Sequence, residues 1–486
     1  MPFSRTARPA ARSALRDATP VPLWLDAPDR PAPAPPLEGS LEADLAVVGA
    51  GFTGLWAALL AAEAQPGREI VVLEAGRVGH AASGRNGGFC SASLTHGIGN
   101  GAERFSTELP RLLDLGRDNL HGIAADLARH DVECDFRMVG DLVVATDPHH
   151  VDELQALRRL AERHGQQVTW LDQDAVRAEI ASPRYLSGLQ TDGETALVDP
   201  ARLAWGLASA CRRLGVRILE GSQVTRIEPV RLHPAGQAGR RHRGRGAVRL
   251  TTAAGVVTAR NVVLATNAFP PLLRRLRHYL VPVYDYVLAT EPLPAAVLRS
   301  IGWRHRQGVS DAGNQFHYYR LTRDDRVVFG GYDAVYYPGN GFGTGFEQRQ
   351  VTFELLAEHL LETFPQLEGT RITHRWGGAI DTCTRFSPFW GTAMGGQLAY
   401  VAGYTGLGVG ASRFGARVAL DLLSGEPSEL TRLDMVRSKP LPFPPEPLRS
   451  VGIGLTRWSL GRADLRAGRR NVWLRTLDRA GLGFDS

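Results

Sequence analysis

Three glycines and an acid, spaced as Gly49-Ala50-Gly51-Phe52-Thr53-Gly54 and Glu74, are the residues of this sequence with the most definite chemistry. At a turn between a strand and a helix, Gly49 makes the tight bend, Gly51 lets backbone approach a pyrophosphate, and Gly54 lets the helix pack close to the sheet. The helix then presents free N–H groups and a positive dipole end to phosphate. Glu74 follows Gly49 by 25 positions, where a carboxylate accepts hydrogen bonds from both hydroxyls of an adenosine ribose and repels a 2′-phosphate. The implied ligand carries adenosine diphosphate.

A second cluster, Ser83-Gly84-Arg85-Asn86-Gly87-Gly88, lies just past the ribose acid. Its small residues let backbone lie against a ligand, and Arg85 can pair with phosphate. The apolar run 262–265 ends in Ala265-Thr266-Asn267, and such strand ends lie beside the cofactor in doubly wound sheets. Near the end of the chain, Gly406, Gly408, Val409 and Gly410 precede a further helix and offer a second dipole end. Elsewhere, Tyr318-Tyr319-Arg320 carries a planar guanidinium suited to a carboxylate or phosphonate. Strand alternation puts Tyr318 and Arg320 on one face and Tyr319 on the other. A structural arginine on a sheet edge is the equal alternative.

The elements that must position these groups follow from periodicity. Residues 44–86 read as strand, turn, helix and strand. Helical spacing over 109–129, 151–164, 201–214, 346–364 and 411–423 alternates with strand patterns at 141–146, 216–227, 261–265, 280–291, 316–321, 326–329 and 372–378. The Arg- and Gly-rich stretch 232–246 reads as an exposed hairpin tip. The Pro- and Ala-rich stretch 20–36 reads as an extended lead, anchored by Leu23-Trp24-Leu25.

With 486 residues and 43% hydrophobic content, the chain has room for two or three globular units. Four cysteines, Cys90, Cys134, Cys211 and Cys383, form no CxxC pair. This argues against zinc and against a disulfide framework, so no metal is assigned and a reducing cytoplasm fits best. Residues 1–16 are Arg-rich but lack an apolar segment, and no run approaches the roughly eighteen apolar residues of a membrane span. The span 437–486 holds ten basic and four acidic residues, which equals the whole net charge of +6. That basic tail reads as a solvated helix, with an anionic partner or membrane face as alternatives, and the aromatics show no interleaving suited to nucleic acid.

Together these segments, with Ala289-Thr290-Glu291-Pro292-Leu293, Phe329-Gly330-Gly331 and Trp376-Gly377-Gly378, resemble the amine and amino-acid oxidase family of D-amino-acid oxidase, glycine oxidase and sarcosine oxidase, and within it the gamma-glutamylputrescine oxidase-like members. The resemblance implies an α/β fold: a Rossmann-type FAD-binding domain from 41–100, 195–275 and 372–430, and an inserted mixed antiparallel-sheet substrate domain from 101–194 and 276–371. A lead, 1–40, and the tail, 431–486, flank them. It implies FAD held by Gly49, Gly51, Phe52, Thr53, Gly54, Glu74, Ala75, the 83–88 cluster, Val224, Ala265, Thr266, Asn267, Gly406, Gly408, Val409 and Gly410. The late glycine loop would face the N1/O2 edge of the flavin.

It further implies hydride transfer from the carbon beside an amine nitrogen to flavin N5, followed by hydrolysis of the imine, with dioxygen or another electron acceptor. Catalytic assignments are Arg320, Tyr318, Tyr319 and Trp376, the last standing either in the flavin-facing wall or, preferably, in the core. Two departures matter: Gly378 stands where sarcosine oxidases attach flavin through cysteine, which favours noncovalent FAD, and Leu407 stands where relatives carry histidine. A dehydrogenase passing electrons to a quinone or protein, and a non-catalytic flavin-binding sensor, remain the alternatives. With no second dinucleotide motif, an NAD(P)H-flavin reductase is disfavoured.

Overall fold

The computed structural model describes residues 3–230, 246–479 and 481–482. The first apolar run forms the strand Gly39–Val48, the glycine turn opens the helix Phe52–Ala64, and the next run is the strand Ile70–Leu73. The helix is apolar nearly all round because it is enclosed between this sheet and the helices Pro200–Arg213 and Gly408–Ser424. Gly39–Val48 pairs in parallel on both sides, with Val48 opposite Leu73 in one neighbour and Leu264 in the other. The unbroken apolar stretches 45–48 and Ile70–Leu73, buried throughout, are those of a parallel sheet covered on both faces.

This sheet has eight strands, in the order Arg226–Val230, Ala247–Thr251, Gly255–Leu264, Gly39–Val48, Ile70–Leu73 and Arg217–Leu219, with Leu398–Ala402 joined to Gly255–Leu264 and Phe389–Ala393 beyond it. Its strands therefore come from three separated stretches of chain. The second sheet has nine strands and is mostly antiparallel; its centre is Val281–Thr290, Val327–Gly331 and His317–Leu321. Alternation sorts its faces. Tyr284, Tyr286 and Leu288 pack with Phe353, Leu356 and Leu360 of the helix Gln350–Thr363, while Val281, Val283, Asp285 and Val287 line a cavity.

Four sequence expectations change. The strand at 372 extends as Ile372–Thr382 and pairs along Val281–Thr290, so it belongs to the second sheet rather than with the nucleotide-binding pieces. The helix Leu109–Arg129, assigned to the inserted part, packs on Gly408–Ser424, where Asn119 donates to the Gly410 carbonyl at 2.9 Å and Arg413 pairs with Asp126 at 2.7 Å. The single strand expected over 216–227 is broken, because Gly221 turns the chain at φ +62°. The tail is not simply a solvated helix: Leu448–Asp464 lies over the cavity, with Arg457 paired to Asp333 and Arg449 buried against Asn340.

The lead is anchored as its aromatic predicted, with Trp24 and Leu25 buried in the first core. The hairpin tip read over 232–246 lies outside the described residues except for Gly246, though the flanking strands do pair antiparallel. All four cysteines are free and buried. Among the described residues, no helix is long and apolar enough to cross a membrane.

Candidate functional site

Both sheets contribute to one cavity of about 1600 Å³. From the parallel-sheet side it is lined by Gly49, Gly51, Phe52, Thr53, Glu74, Ala75, Ser83, Arg85, Asn86, Gly87, Val224, Ala265, Thr266 and Asn267, and from the late loop by Gly406, Gly408 and Val409. All of these were expected at the cofactor. The glycine turn has the expected mechanics. Gly49 has φ +105°, and the Ala265 carbonyl oxygen lies 2.5 Å from where a Cβ would stand, so any other residue is both strained and blocked. Gly54 does not line the cavity; its would-be Cβ falls 1.9 Å from the Gly49 carbonyl oxygen, which is the close helix packing that the motif requires.

Polar groups then tie the wall together. Ser83 Oγ accepts from the Phe52 N–H at 2.9 Å, joining the two glycine clusters. Glu74 accepts from the N–H groups of Ala50 at 2.7 Å and Gly76 at 2.8 Å, and each carboxylate oxygen keeps a further acceptor site. The helices Phe52–Ala64 and Gly408–Ser424 both start at the cavity, neither is capped by the side chain of its own N-cap residue, and the Phe52 N–H of the first is taken by Ser83. Such N-termini leave donors for an anion. Two helix starts, a ribose-type acid and a glycine turn in one cavity fit an FAD molecule running from pyrophosphate to flavin.

Several residues expected at the site lie outside the cavity or have partners within the protein. Gly84, Gly88 and Gly410 stand outside the cavity: a Cβ at Gly88 would meet the Val198 carbonyl oxygen at 2.2 Å, and the other two similarly abut backbone of Gly79 and Ser91. They serve close packing behind the site. Arg85, expected on a phosphate, instead pairs with Glu347 at 2.6 Å and donates to the Gly377 carbonyl at 3.0 Å. Trp376 is in the core, 1% exposed, and its indole N–H donates to the Arg85 carbonyl at 2.8 Å. Tyr319 faces the second core, where its hydroxyl shares a hydrogen bond with that of Tyr185 at 2.7 Å.

Arg320 is the main correction. It is 1% exposed and absent from the cavity lining. Its guanidinium donates to the carbonyls of Val198 at 2.6 Å and Gly88 at 3.4 Å, and approaches Asp135 at 3.7 Å. Burial pulls its pKa down to about 10. The fork is thus used in holding the end of the 83–88 cluster, because carbonyls in an apolar interior need donors more than a solvent-facing ligand does. Arg320→Ala is accordingly expected to cost about 3 to 5 kcal/mol of stability, measured by urea unfolding. Any loss of activity should be equal for substrates with and without a carboxylate; a loss confined to carboxylate-bearing substrates would restore the anion-binding assignment.

Tyr318 does line the cavity, and the structure adds a partner that the sequence reading did not single out. The Tyr318 hydroxyl donates to Asp285 at 2.5 Å. Gly87 and Gly330 make room for the ring, since a Cβ at either would fall within 2.6–2.7 Å of it. The backbone N–H groups of Tyr286 and Gly331 lie near enough to favour the ionised form of Asp285. The carboxylate is oriented by the Tyr318 hydrogen bond and keeps acceptor sites free for a ligand. It stands alone in a row of Val281, Val283 and Val287, and burial raises its pKa to about 6 despite these donors. The detectable signal was a carboxylate interrupting the alternating run Val281-Pro282-Val283-Tyr284-Asp285-Tyr286-Val287.

Three further lining residues were missed. Asp381 accepts from the Gly403 N–H at 2.5 Å, so it clamps the late loop to the second sheet; burial raises its pKa to about 7. Asp141 accepts from Thr195 at 2.7 Å and is likewise raised by burial, to about 6. His96 also lines the cavity beside Thr405 of the late loop, and burial lowers its pKa. No metal was assigned from sequence. His149, His150 and Glu153 do lie within 4.8 Å of one another, outside the cavity, and the chemistry of the cavity does not use them.

Comparison with known proteins agrees with this geometry. The family described as DAO, FAD dependent oxidoreductase, matches residues 44–422. The chain is similar to gamma-glutamylputrescine oxidoreductase of Escherichia coli (strain K12), with 34% identity over 425 residues, covering 85% of this chain and 90% of that one. In fold it is similar to glycine oxidase from Geobacillus kaustophilus, with a TM-score of 0.64 and 19% identity, covering 82% of this chain and 99% of the other. L-amino acid deaminase from Proteus vulgaris matches with a TM-score of 0.63 and 18% identity, over 84% and 97% of the respective chains. With the family match spanning most of the sequence and a relative of 34% identity covered over most of both chains, this chain belongs to the DAO family of FAD-dependent oxidoreductases.

Proposed function

We propose that this protein oxidises the C–N bond of a small amine or amino acid, and that Asp285 receives the nitrogen end of the substrate. The observation that carries this reading is a hydrogen-bonded carboxylate set in the apolar row Val281, Val283 and Val287 of the cavity wall, with the guanidinium of Arg320 directed to backbone carbonyls instead. The similarity to an oxidoreductase whose name specifies an amine supports it. The pyrophosphate of FAD would be held at Gly49, Gly51 and the start of Phe52–Ala64, its ribose by Glu74, and its flavin near Gly87, Gly406, Gly408 and Val409. What bound FAD supplies is an acceptor for the hydride leaving the carbon beside the nitrogen, after which water hydrolyses the imine.

The protein's own work is electrostatic and geometric. An amine that loses hydride becomes an iminium cation, so positive charge grows on nitrogen in the transition state. Ionised Asp285 stabilises that growing charge, and the Tyr318 hydroxyl holds the carboxylate in orientation. The apolar row Val281, Val283 and Val287 limits water around it and strengthens the interaction. Anaerobic titration with a panel of amines tests the assignment: substrate-dependent bleaching of the flavin is expected, and no bleaching by any amine would indicate a binding protein. Peroxide formed on admitting air would identify dioxygen as acceptor, the acceptor proposed here. Reoxidation by a quinone but not by air would identify a dehydrogenase.

We also infer that FAD is bound noncovalently. Gly378 lines the cavity, whereas neither Cys90 nor Cys383 does, and burial raises both thiols above their ordinary range, Cys90 to about 12. Acid precipitation is expected to leave the flavin in the supernatant; flavin retained in the pellet would overturn this.

A further inference from the structure

We propose that the two C-terminal helices dock the protein on an anionic lipid surface. Helix Leu448–Asp464 carries the exposed residues Leu448, Val451, Leu455, Trp458 and Arg462, and the same spacing of three and four then reaches Leu465. Positions at that spacing share one face of a helix. Val472, which opens the helix Val472–Arg479, is 71% exposed. Of the ten large hydrophobic residues exposed among the described residues, seven lie between 441 and 472, so they form a concentration rather than a scatter.

The charges around this stripe point to the occupant. The three described acids of the region are used internally: Glu446 accepts from Tyr336 at 2.7 Å and Ser450 at 2.6 Å, Asp464 accepts from Asn314 at 2.5 Å, and Asp478 pairs with Arg470 at 2.8 Å. Arg462, Arg466, Arg469, Arg475 and Arg479 are exposed and have no carboxylate partner among the described residues. Arg462 sits over the Trp458 ring at 5.3 Å. A solvated helix does not explain the apolar stripe, and an acidic protein surface has no need of it. A lipid interface takes both parts, since apolar side chains enter the acyl boundary while guanidiniums stay with the phosphates. Leu448, Val451 and Leu455 also line the cavity, so docking would bring its rim to the membrane surface.

The test is sedimentation of the FAD-loaded full chain with vesicles of pure phosphatidylcholine and of phosphatidylcholine mixed with phosphatidylglycerol. The protein is expected to sediment with the mixed vesicles only and to be released by added salt. Joint replacement Arg466→Gln, Arg469→Gln and Arg475→Gln should lower partitioning on the order of a hundredfold. Joint replacement Leu465→Asp and Val472→Asp should lower it by about tenfold or more. Both variants should keep their flavin, which shows that they are folded. A parent that stays in the supernatant with every vesicle overturns the proposal. So does an apolar-stripe variant that binds vesicles as tightly as the parent and also binds soluble polyglutamate, which would assign the surface to an acidic protein.

Discussion

Gly51→Val protein is expected to purify folded but colourless. At Gly51 the backbone is extended, with φ −82°, so a valine is tolerated by the chain itself. Its Cβ, however, would stand 2.9 Å from Ser83 Oγ, the atom that accepts the Phe52 N–H and joins the two glycine clusters. Valine must displace Ser83 and fill the approach to the start of Phe52–Ala64. Losing two charge-assisted N–H contacts to phosphate is worth about 4 kcal/mol, a drop in FAD affinity of about a thousandfold. Gly49 gives a poorer test, because its positive φ makes every substitution unfold the turn as well as crowd it. Circular dichroism and flavin absorbance measured together decide the matter: native circular dichroism with full flavin content would remove the pyrophosphate from this turn.

The second large effect is expected at Asp285. Replacing it by Asn keeps the shape and an acceptor for the Tyr318 hydroxyl but removes the charge that faces the forming iminium. Losses from removing one such preorganised group are about a hundredfold to a thousandfold in kcat. The pH profile supplies an independent readout. Burial raises Asp285 from 3.8 to about 6, so its ionised form, the one that stabilises the cation, is lost as pH falls through about 6. The parent should show an acid limb there in kcat/KM, and the Asn variant should not.

The same shift has a consequence for stability. A carboxylate with a raised folded-state pKa contributes stability below its unfolded value and gives it up as pH rises from 3.8 to about 6. Binding a cationic amine offsets that cost, so a charged substrate analogue should raise the melting temperature more at pH 7 than at pH 5. An Asn variant with parental kcat/KM and an unchanged acid limb would take Asp285 out of the reaction.

Much of this molecule is set by local sequence. The spacing of Gly49, Gly51, Gly54 and Glu74 pointed to a nucleotide-binding unit, because the demands on Gly54 and Glu74 come from the same strand–turn–helix–strand segment, from the Gly49 carbonyl and the Ala50 N–H. The groups that crowd Gly49 and Gly51, Ala265 and Ser83, lie further along the chain. The antiparallel core of the second sheet was equally legible, since a period of two needs only the pleat of the strand itself. What the tertiary structure decided are choices between distant partners. Arg320 has the right chemistry for a substrate anion, but its guanidinium is taken by carbonyls at Val198 and Gly88, which are 122 and 232 positions away, and no spacing rule reports that. Asp285 looks like an interruption of an apolar strand until its row is seen to face a cavity rather than a core. The strand Ile372–Thr382 joined the second sheet because its register with Val281–Thr290 is long, and the basic tail lies over the cavity because Asp333, Asn340 and Asn314 supply its polar partners. Periodicity states which face of an element is apolar; only the packed fold states what each polar exception meets, because the cost of burying a charge is settled by the partners that happen to surround it.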